Sequence, residues 1–477
     1  MSGPAAGPGK DDRPLPPKPP ARKDRVGLLT YARLFRRDIL SAQPARLYGA
    51  WMAAFRTPFF RSYLVNEPEL VARVLKERPD DFPKSDRVGE GLRPLLGRSV
   101  FLTNGEEWKR QRRIIDPAFE GGRLREVFPA MLAATEAAVT RLGQAAGEAE
   151  TANGELEIEE ITSFAAADVI FRTLFSIPIE DEVARRVFHE FRAYQRTQPI
   201  LNLAAFVPLP RWMPRLFRRD TRRTARSIRQ LITGLTRDRM QAIEAGTAPD
   251  DLATKIMTTE DPLTGERFTP AEMVDQVAIF FLAGHETSAS ALAWALYLLA
   301  MDQGAQARVR AESDALWGDD TPDFSDISKA KFTRDVFREA LRLYPPVPMM
   351  VRETRCPERF RDRRIDPGSQ IVLSPWHLHR HTRLWDRPDV FDPDRWHTEN
   401  GRACQRDAFI PFSTGARVCT GAGFAMIEGV LILARLVQAY HFELVEGRPA
   451  MPVAHLTVRG RDGIWLRVRA RDHSSEG

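Results

Sequence analysis

The sequence predicts a mainly α-helical protein with small β-sheets and one long central helix. Three observations carry that prediction. Apolar residues recur at helical spacing in many long segments. A capping box with proline at the first helical position, Thr269-Pro270-Ala271-Glu272, opens an apolar run that continues to Met301. That run is about 33 residues, or ~50 Å of helix, enough to cross the whole molecule. Strand patterns are few and short, which excludes a regular βαβ alternation.

In chain order, residues 1–25 read as a disordered lead-in, with Pro14-Leu15-Pro16-Pro17-Lys18-Pro19-Pro20 within it. Residues 26–477 read as one catalytic domain. Glu67 to Arg78 places apolar residues at helical spacing. Gly105 to Ile115 reads as a short basic helix that Pro117 ends. Arg123 to Leu142 is amphipathic and rich in Ala, Leu and Glu, all strong helix formers. Ile158 to Ser176 and Glu180 to Gln195 continue the pattern, and Arg218 to Ala245 is long and Arg-rich. After the long helix, Lys331 to Tyr344 is stopped by Pro345-Pro346, and Gly421 to Tyr440 is the last helix. The strand candidates are Phe59 to Val65, Val351 to Arg355, Gln370 to Leu373, Phe442 to Val445, His455 to Val458 and Ile464 to Val468. Trp376-His377-Leu378-His379-Arg380-His381 alternates in a strand-like way. It has no cysteine or carboxylate cluster beside it, so it reads as structural rather than as a metal site.

Composition narrows the function classes. Of 477 residues, 43% are hydrophobic and 28% charged, the balance of a folded globular protein. Three cysteines are too few for a disulfide scaffold, so the chain reads as intracellular and cytoplasmic. Half of the net charge of +6 lies in the lead-in, which holds six basic and three acidic residues. A nearly balanced body argues against nucleic-acid binding. No apolar leader precedes the body. The apolar stretch Val277 to Ala283 runs straight into His285, Glu286 and Thr287, which excludes a membrane span there.

Four constellations carry chemistry. The first is Phe412-Ser413-Thr414-Gly415-Ala416-Arg417-Val418-Cys419-Thr420-Gly421, an F-x-x-G-x-R-x-C-x-G pattern. Glycine permits a tight turn, Arg417 brings positive charge, and a helix starts just after Cys419, so its dipole favours a thiolate. A thiolate is the ligand a haem iron needs to favour O–O cleavage. The second is Ala283-Gly284-His285-Glu286-Thr287 inside the longest helix. Gly and Thr are poor interior helix residues. Gly284 leaves room for a flat ligand or O₂, and Glu286 with Thr287 forms an acid–alcohol pair able to relay protons. Read alone, the segment is equally a buried helix with satisfied polar side chains, and His285 reads as a structural hydrogen-bonder.

The third is Glu339-Ala340-Leu341-Arg342, whose charges share one helical face. Arg395, in the aromatic and Pro-rich Phe391-Asp392-Pro393-Asp394-Arg395-Trp396, is a third partner, giving a partly buried structural cluster. The fourth is Trp108-Lys109-Arg110-Gln111-Arg112. Trp108 and Arg112 share a face, and an indole N–H beside a guanidinium suits a carboxylate or propionate.

These motifs, in this order from about Phe59 to Val468, closely resemble the cytochrome P-450 family of haem-thiolate monooxygenases, of the soluble bacterial type. The resemblance implies the P-450 fold, a triangular helical body with the long helix over the haem. It implies haem b, iron protoporphyrin IX, with Cys419 as axial ligand. Arg417, Trp108, Arg112 and Arg352 match propionate-holding residues, and Phe412, Gly421, Ala283 and Gly284 match positions lining the haem. Glu339, Arg342 and Arg395 match the triad that supports the cysteine loop, while Glu286 and Thr287 match the proton-delivering pair. Two positions depart from the pattern: Ser413 stands where the family often has glycine, and Thr420 where it often has an apolar residue.

The implied reaction is hydroxylation or epoxidation of an apolar small molecule with O₂. Electrons come from NAD(P)H through a separate ferredoxin or flavodoxin and its reductase. Lys109, Arg110 and Arg113 are the expected docking patch for that acidic partner. Ile279, Phe280, Pro348, Met349, Met350 and Leu456 match substrate-contact positions, with Val347 and Thr457 beside them, and Pro199 to Pro208 falls where the family has an access lid. The protein is expected to be monomeric. The alternatives are a haem-thiolate sensor or carrier without turnover, and a peroxide-driven peroxygenase.

Overall fold

The computed structural model describes residues 15–56, 60–150, 154–197 and 219–471. Its helices are α1 (Leu28–Arg37), α2 (Pro68–Ala72), α3 (Asp86–Leu96), α4 (Gly105–Ile115), α5 (Gly121–Glu150), α6 (Ile158–Phe175), α7 (Glu182–Thr197), α8 (Arg219–Glu244), α9 (Leu252–Thr258), α10 (Pro270–Met301), α11 (Gln303–Leu316), α12 (Lys331–Leu343), α13 (Pro375–Leu378), α14 (Glu399–Asp407) and α15 (Ala422–Ala439). The strands are β1 (Met52–Arg56), β2 (Arg61–Val65), β3 (Glu155–Glu157), β4 (Met350–Glu353), β5 (Glu358–Phe360), β6 (Arg363–Ile365), β7 (Gln370–Leu373), β8 (Tyr440–Leu444), β9 (Pro452–Ala454), β10 (Val458–Gly460) and β11 (Trp465–Ala470).

The long helix α10 organises the body. The Thr269 hydroxyl accepts from the Glu272 N–H while the Glu272 carboxylate accepts from the Thr269 N–H, so the capping box forms as the residues dictate. The helix packs along α6 and also meets α8, α12 and α15. Between Met273 and Ala300, only Phe280, Ala283, Gly284 and Thr287 are not buried. Their i, i+3, i+4, i+7 spacing puts them on one stripe of the helix. An otherwise closed core is therefore open along a single line, at the motif that sequence reasoning singled out.

Four strands form the sheet β1-β2-β7-β4, with β2 and β7 parallel and the other pairs antiparallel. This sheet sets Arg352 opposite Ile371. A second sheet, β3-β11-β8, binds the end of the chain to the segment before α6. The hairpin β9-β10 is tied to α10 by the Ser290 hydroxyl, which donates to the Val458 carbonyl at 2.6 Å. Among the described residues, α15 is the one helix long and apolar enough to cross a membrane; 61% of it is buried inside the protein.

Three expectations give way. The disordered lead-in does not hold from Leu15 onward. Pro16 and Pro19 are buried, Lys18 pairs with Asp389 at 2.5 Å, and the Tyr344 hydroxyl donates to the Pro17 carbonyl at 2.8 Å. An extended Pro-rich strand keeps its carbonyls free, and here the body supplies donors. The segment from Trp376 is not a strand. Ser374 caps a short helix with Pro375 in its first turn, and that local chemistry outweighs the alternating pattern. His377 and His379 are buried there, and burial pushes both down to about 3, so they are neutral. His455 to Thr457 is the turn of the β9–β10 hairpin rather than part of a strand.

Candidate active site

The cysteine loop is fixed by backbone before any side chain is considered. The Cys419 N–H donates to the Phe412 carbonyl at 2.9 Å, and the Cys419 carbonyl accepts from the Ala422 N–H at the start of α15. Gly415 has φ +72, and a Cβ there would lie 2.2 Å from the Leu75 carbonyl oxygen, so only glycine fits. Ser413 has φ +61, a left-handed conformation that disfavours a side chain. Its buried hydroxyl also lacks a partner among the described residues. At Gly421 a Cβ would meet nothing within 4 Å, so the fold itself does not require that glycine.

Cys419 presents surface, unlike buried Cys404. Two influences act on its thiol in opposite directions. Burial pushes the thiol up, and only the Gly421 backbone and the Arg112 charge act the other way. Arg417 is turned elsewhere. It donates to the Pro79 carbonyl at 2.5 Å and lies over the Trp108 ring at 4.9 Å. Thr420 is explained by a neighbour: its hydroxyl donates to Asp116 at 2.5 Å. Arg112 pairs with the same Asp116 at 2.8 Å and donates to the Val418 carbonyl at 2.7 Å, so it clamps the loop to α4.

Around the buried Trp108 the structure gathers cations. Arg417, Lys84 and Arg112 stand 4.9, 5.6 and 5.9 Å from its ring. Lys84 also forms a β-bridge with Arg352. Burial, reinforced by Arg417, pushes Arg352 down to about 10. Burial, with Arg352, Arg417 and Arg112 adding to it, holds Lys84 well below the usual lysine value. The buried Nε atoms of Arg352 and Arg417 have no partner among the described residues. This set of donors calls for anions, and a porphyrin with two propionates beside a cysteine sulfur fits it. Lys84 was missed in the sequence because a lone lysine outside any motif gives no signal.

The Glu339 cluster is the opposite case. The Arg342 guanidinium straddles the Glu339 carboxylate at 2.7 and 2.9 Å, and Arg395 Nε donates to it at 2.9 Å. Glu339 and Arg342 are fully buried. Arg342 also donates to the carbonyls of His379, Pro388 and Val390, and Arg395 to those of Asp386, Arg387 and Val390. Burial alone would raise the Glu339 carboxyl, but Arg342 and Arg395 bring it below its ordinary value.

On α10, Ala283 and Thr287 belong to the open stripe, and the Thr287 hydroxyl donates to the Ala283 carbonyl at 2.5 Å. Gly284 has a packing reason beside the one expected. A Cβ there would lie 2.3 Å from Ile170 of α6, so close helix packing calls for glycine at this point of the open stripe. Glu286 is buried and faces Gln195, Thr457 and Arg459. Among the described residues no hydrogen bond joins it to Thr287. His285 meets the Ser163 hydroxyl at 2.6 Å. A further acid, Glu428 on α15, accepts from the Ser288 hydroxyl at 2.7 Å, and burial pushes it up to about 8. No motif pointed to it.

Of the substrate-contact candidates, Phe280 lies on the stripe and packs on Phe119 at 5.8 Å between ring centres. Ile279 is buried in the main core beside it. Pro348 is buried, and its carbonyl accepts from Ser374 at 3.1 Å. Met349 and Met350 are half-buried, and Leu456 is exposed at the hairpin turn. The segment from Pro199 to Pro208 lies outside the described residues. The free basic patch expected for a redox partner does not form. Arg110 is paired with Glu272 and Glu266, and Arg113 grips Asp261 at 2.6 and 2.9 Å, leaving Lys109, itself beside Glu106.

The chain matches the family described as Cytochrome P450 over residues 46–461. It is 33% identical over 395 residues to "Cyclooctatin synthase" of Streptomyces melanosporofaciens, covering 82% of both chains. It is also 33% identical to "Cyclooctat-9-en-7-ol 5-monooxygenase" of the same organism, covering 81% of both. "Cytokinin hydroxylase" of Arabidopsis thaliana is 29% identical, with 84% of this chain and 78% of that one covered. Among solved structures, the cytochrome P450DA heme domain superposes with a TM-score of 0.79 at 26% identity, over 96% of this chain and 99% of that one. Plant and Streptomyces proteins both stand among these relatives, so similarity does not by itself assign the bacterial type.

Proposed function

The chain belongs to the cytochrome P450 family and is a haem-thiolate monooxygenase, and from that premise we propose that it hydroxylates or epoxidises an apolar small molecule with electrons from a separate redox chain. The observation that carries the site assignment is the pairing of the Cys419 loop with a cluster of cations in which the Nε atoms of Arg352 and Arg417 have no acceptor among the described residues. Cys419 Sγ would hold the iron, and Trp108, Lys84, Arg112, Arg352 and Arg417 would hold the propionates. When bound, the haem supplies O₂ activation, with the thiolate favouring O–O cleavage. The chain's own residues position and protect. Glu339, Arg342 and Arg395 brace the segment ahead of the cysteine loop, Thr287 offers a hydroxyl on the open stripe, and Glu286 behind it is an acid for proton supply.

The acid and the alcohol favour use of O₂ over a peroxide-driven reaction. NAD(P)H, passing electrons through a ferredoxin or flavodoxin and its reductase, is the proposed source. Since Arg110 and Arg113 are engaged within the chain, docking would use other surface. A cytoplasmic monomer is the proposed state. The alcohol named in the Streptomyces relative is the first compound to test as substrate. A compound that binds beside the haem should shift the absorption band of the loaded protein, and substrate-dependent O₂ consumption with a ferredoxin system should follow. Absence of O₂ consumption with every compound that shifts the band would favour the carrier reading instead.

A further inference from the structure

Helix α8 buries Ala225, Ile228, Ile232 and Leu235 and turns a polar, Arg-rich row outward. Arg222, Arg226, Gln230, Thr233 and Arg237 are all exposed. At 100° per residue they fall within about 80° of one another around the helix axis. With Arg229, and with Pro94 of α3 as part of the wall, they line a cavity of ≈ 520 Å³. That is the size of a small-molecule site. Among the described residues no carboxylate lines it. Arg222 is engaged within the chain, but Arg226 and Arg237 have no hydrogen bond or ion pair among the described residues. Arg229 uses only Nη1, which donates to the Leu95 carbonyl at 2.9 Å and to the Asp275 carboxylate at 2.7 Å.

We propose that this groove between α3 and α8 binds a soluble small molecule that carries a diphosphate group. Guanidinium forks match phosphate oxygens two at a time, which a lysine ammonium does not. Arg226 and Arg237 stand eleven positions apart, about 16 Å along the helix axis, with Gln230 and Thr233 between them as further hydrogen-bonding groups. A single phosphate, with a charge of about −2 at most, leaves one end of that row unanswered. Two linked phosphates give each end its own oxygens. A helix that lies on a bilayer shows apolar residues beside its cations. Here Pro94 is the one apolar lining residue among those described, and the wall is concave. Arg229 ties the groove to the body. Its partner Asp275 also accepts from the Arg98 N–H at 2.7 Å, and a Cβ on Gly97 would lie 2.2 Å from that same carboxylate. A diphosphate that engages the remaining N–H groups of Arg229 therefore fastens α3 more firmly to α8 and α10.

The test titrates inorganic pyrophosphate into the haem-loaded full chain by calorimetry at low salt. One saturable site per chain is expected, and sulfate, a single dianion, should bind on the order of tenfold more weakly. Arg226→Gln combined with Arg237→Gln should weaken pyrophosphate binding on the order of tenfold. Both side chains are exposed, so this variant keeps its fold and its haem spectrum. Lys331→Gln combined with Arg402→Gln removes the same charge from exposed positions elsewhere and should leave binding unchanged. Saturating pyrophosphate should also slow amide exchange at residues 86–98. No saturable site, or a site of equal strength for sulfate or in the Arg226 and Arg237 variant, would overturn the proposal. A protein that ignores pyrophosphate but sediments with phosphatidylglycerol vesicles would overturn it too, by giving this face to a membrane.

Discussion

Two groups of buried arginines in this molecule are built in opposite ways. Around Glu339, every charge has a partner: Arg342 and Arg395 share one carboxylate and spend their remaining N–H groups on backbone carbonyls. Around Trp108, the chain brings Lys84, Arg352 and Arg417 together, leaves two guanidinium Nε atoms without acceptors, and depresses the affinity of Lys84 and Arg352 for protons. The first group completes itself on folding. The second leans on backbone carbonyls, with Asp80 at 3.9 Å from Arg417 as its one near carboxylate among the described residues, and keeps an excess of positive charge that suits an anion. The contrast lies in charge as well as bonding: Arg93, Arg110 and Arg123 also carry an Nε without an acceptor, but each has a carboxylate beside it, whereas Arg352 has none among the described residues.

The largest effect should come from breaking the self-contained group. Glu339→Gln leaves two buried guanidinium ions facing a neutral amide and should cost about 3–5 kcal/mol of stability by urea unfolding. The sign follows from the lowered Glu339 carboxyl. Its contribution is present above the unfolded glutamate value of about 4.3 and is lost as pH falls. A loss below about 1 kcal/mol would break the comparison from this side.

Next, Arg352→Gln should leave the stability of the haem-free protein within about 0.5 kcal/mol, or raise it, because it removes a buried charge that no group in the chain neutralises. The same substitution should speed haem loss to an acceptor protein about tenfold, the worth of one charge-assisted bond. The cradle can be sharpened further through pH. Lys84 holds its proton less tightly in the folded state, so the unfolded chain binds more protons and stability rises with pH. That rise lies between the depressed Lys84 value and about 10.4, the value in an unfolded chain. Haem-free Lys84→Met should lose this slope, and an unaltered slope would remove Lys84 from the cradle. The smallest effect belongs to the loop between the two groups. Ser413→Gly should stabilise by about 1 kcal/mol by relieving a left-handed side chain, whereas Ser413→Ala should not.

Much of this was legible in the sequence wherever local chemistry decides the outcome. The capping box placed the start of α10, Pro345-Pro346 the end of α12, and Gly415 the turn before Cys419. The helix α3 was not legible, because Gly89, Gly91 and Pro94 interrupt its pattern and burial of Leu92, Leu95 and Leu96 holds it instead. The same limit applies to the site. Motif spacing brought out Trp108, Arg112, Arg417 and Cys419, all close along the chain to a recognisable pattern. Lys84, Gln195, Arg459 and Glu428 reach the site only through tertiary packing, and no spacing encodes that. Gly284 carries a second reason that the sequence did not show, since a side chain there would meet Ile170 of the neighbouring helix.

The central claim is that Cys419 holds a haem iron as thiolate within a cradle that the chain leaves unfinished. The most direct measurement is the absorption spectrum of the reduced, CO-bound protein, taken for wild type and for Cys419→Ser after haem loading. The account predicts the long-wavelength band of a thiolate-ligated haem in wild type and its loss in Cys419→Ser. The same band in both proteins, or in neither, would contradict it.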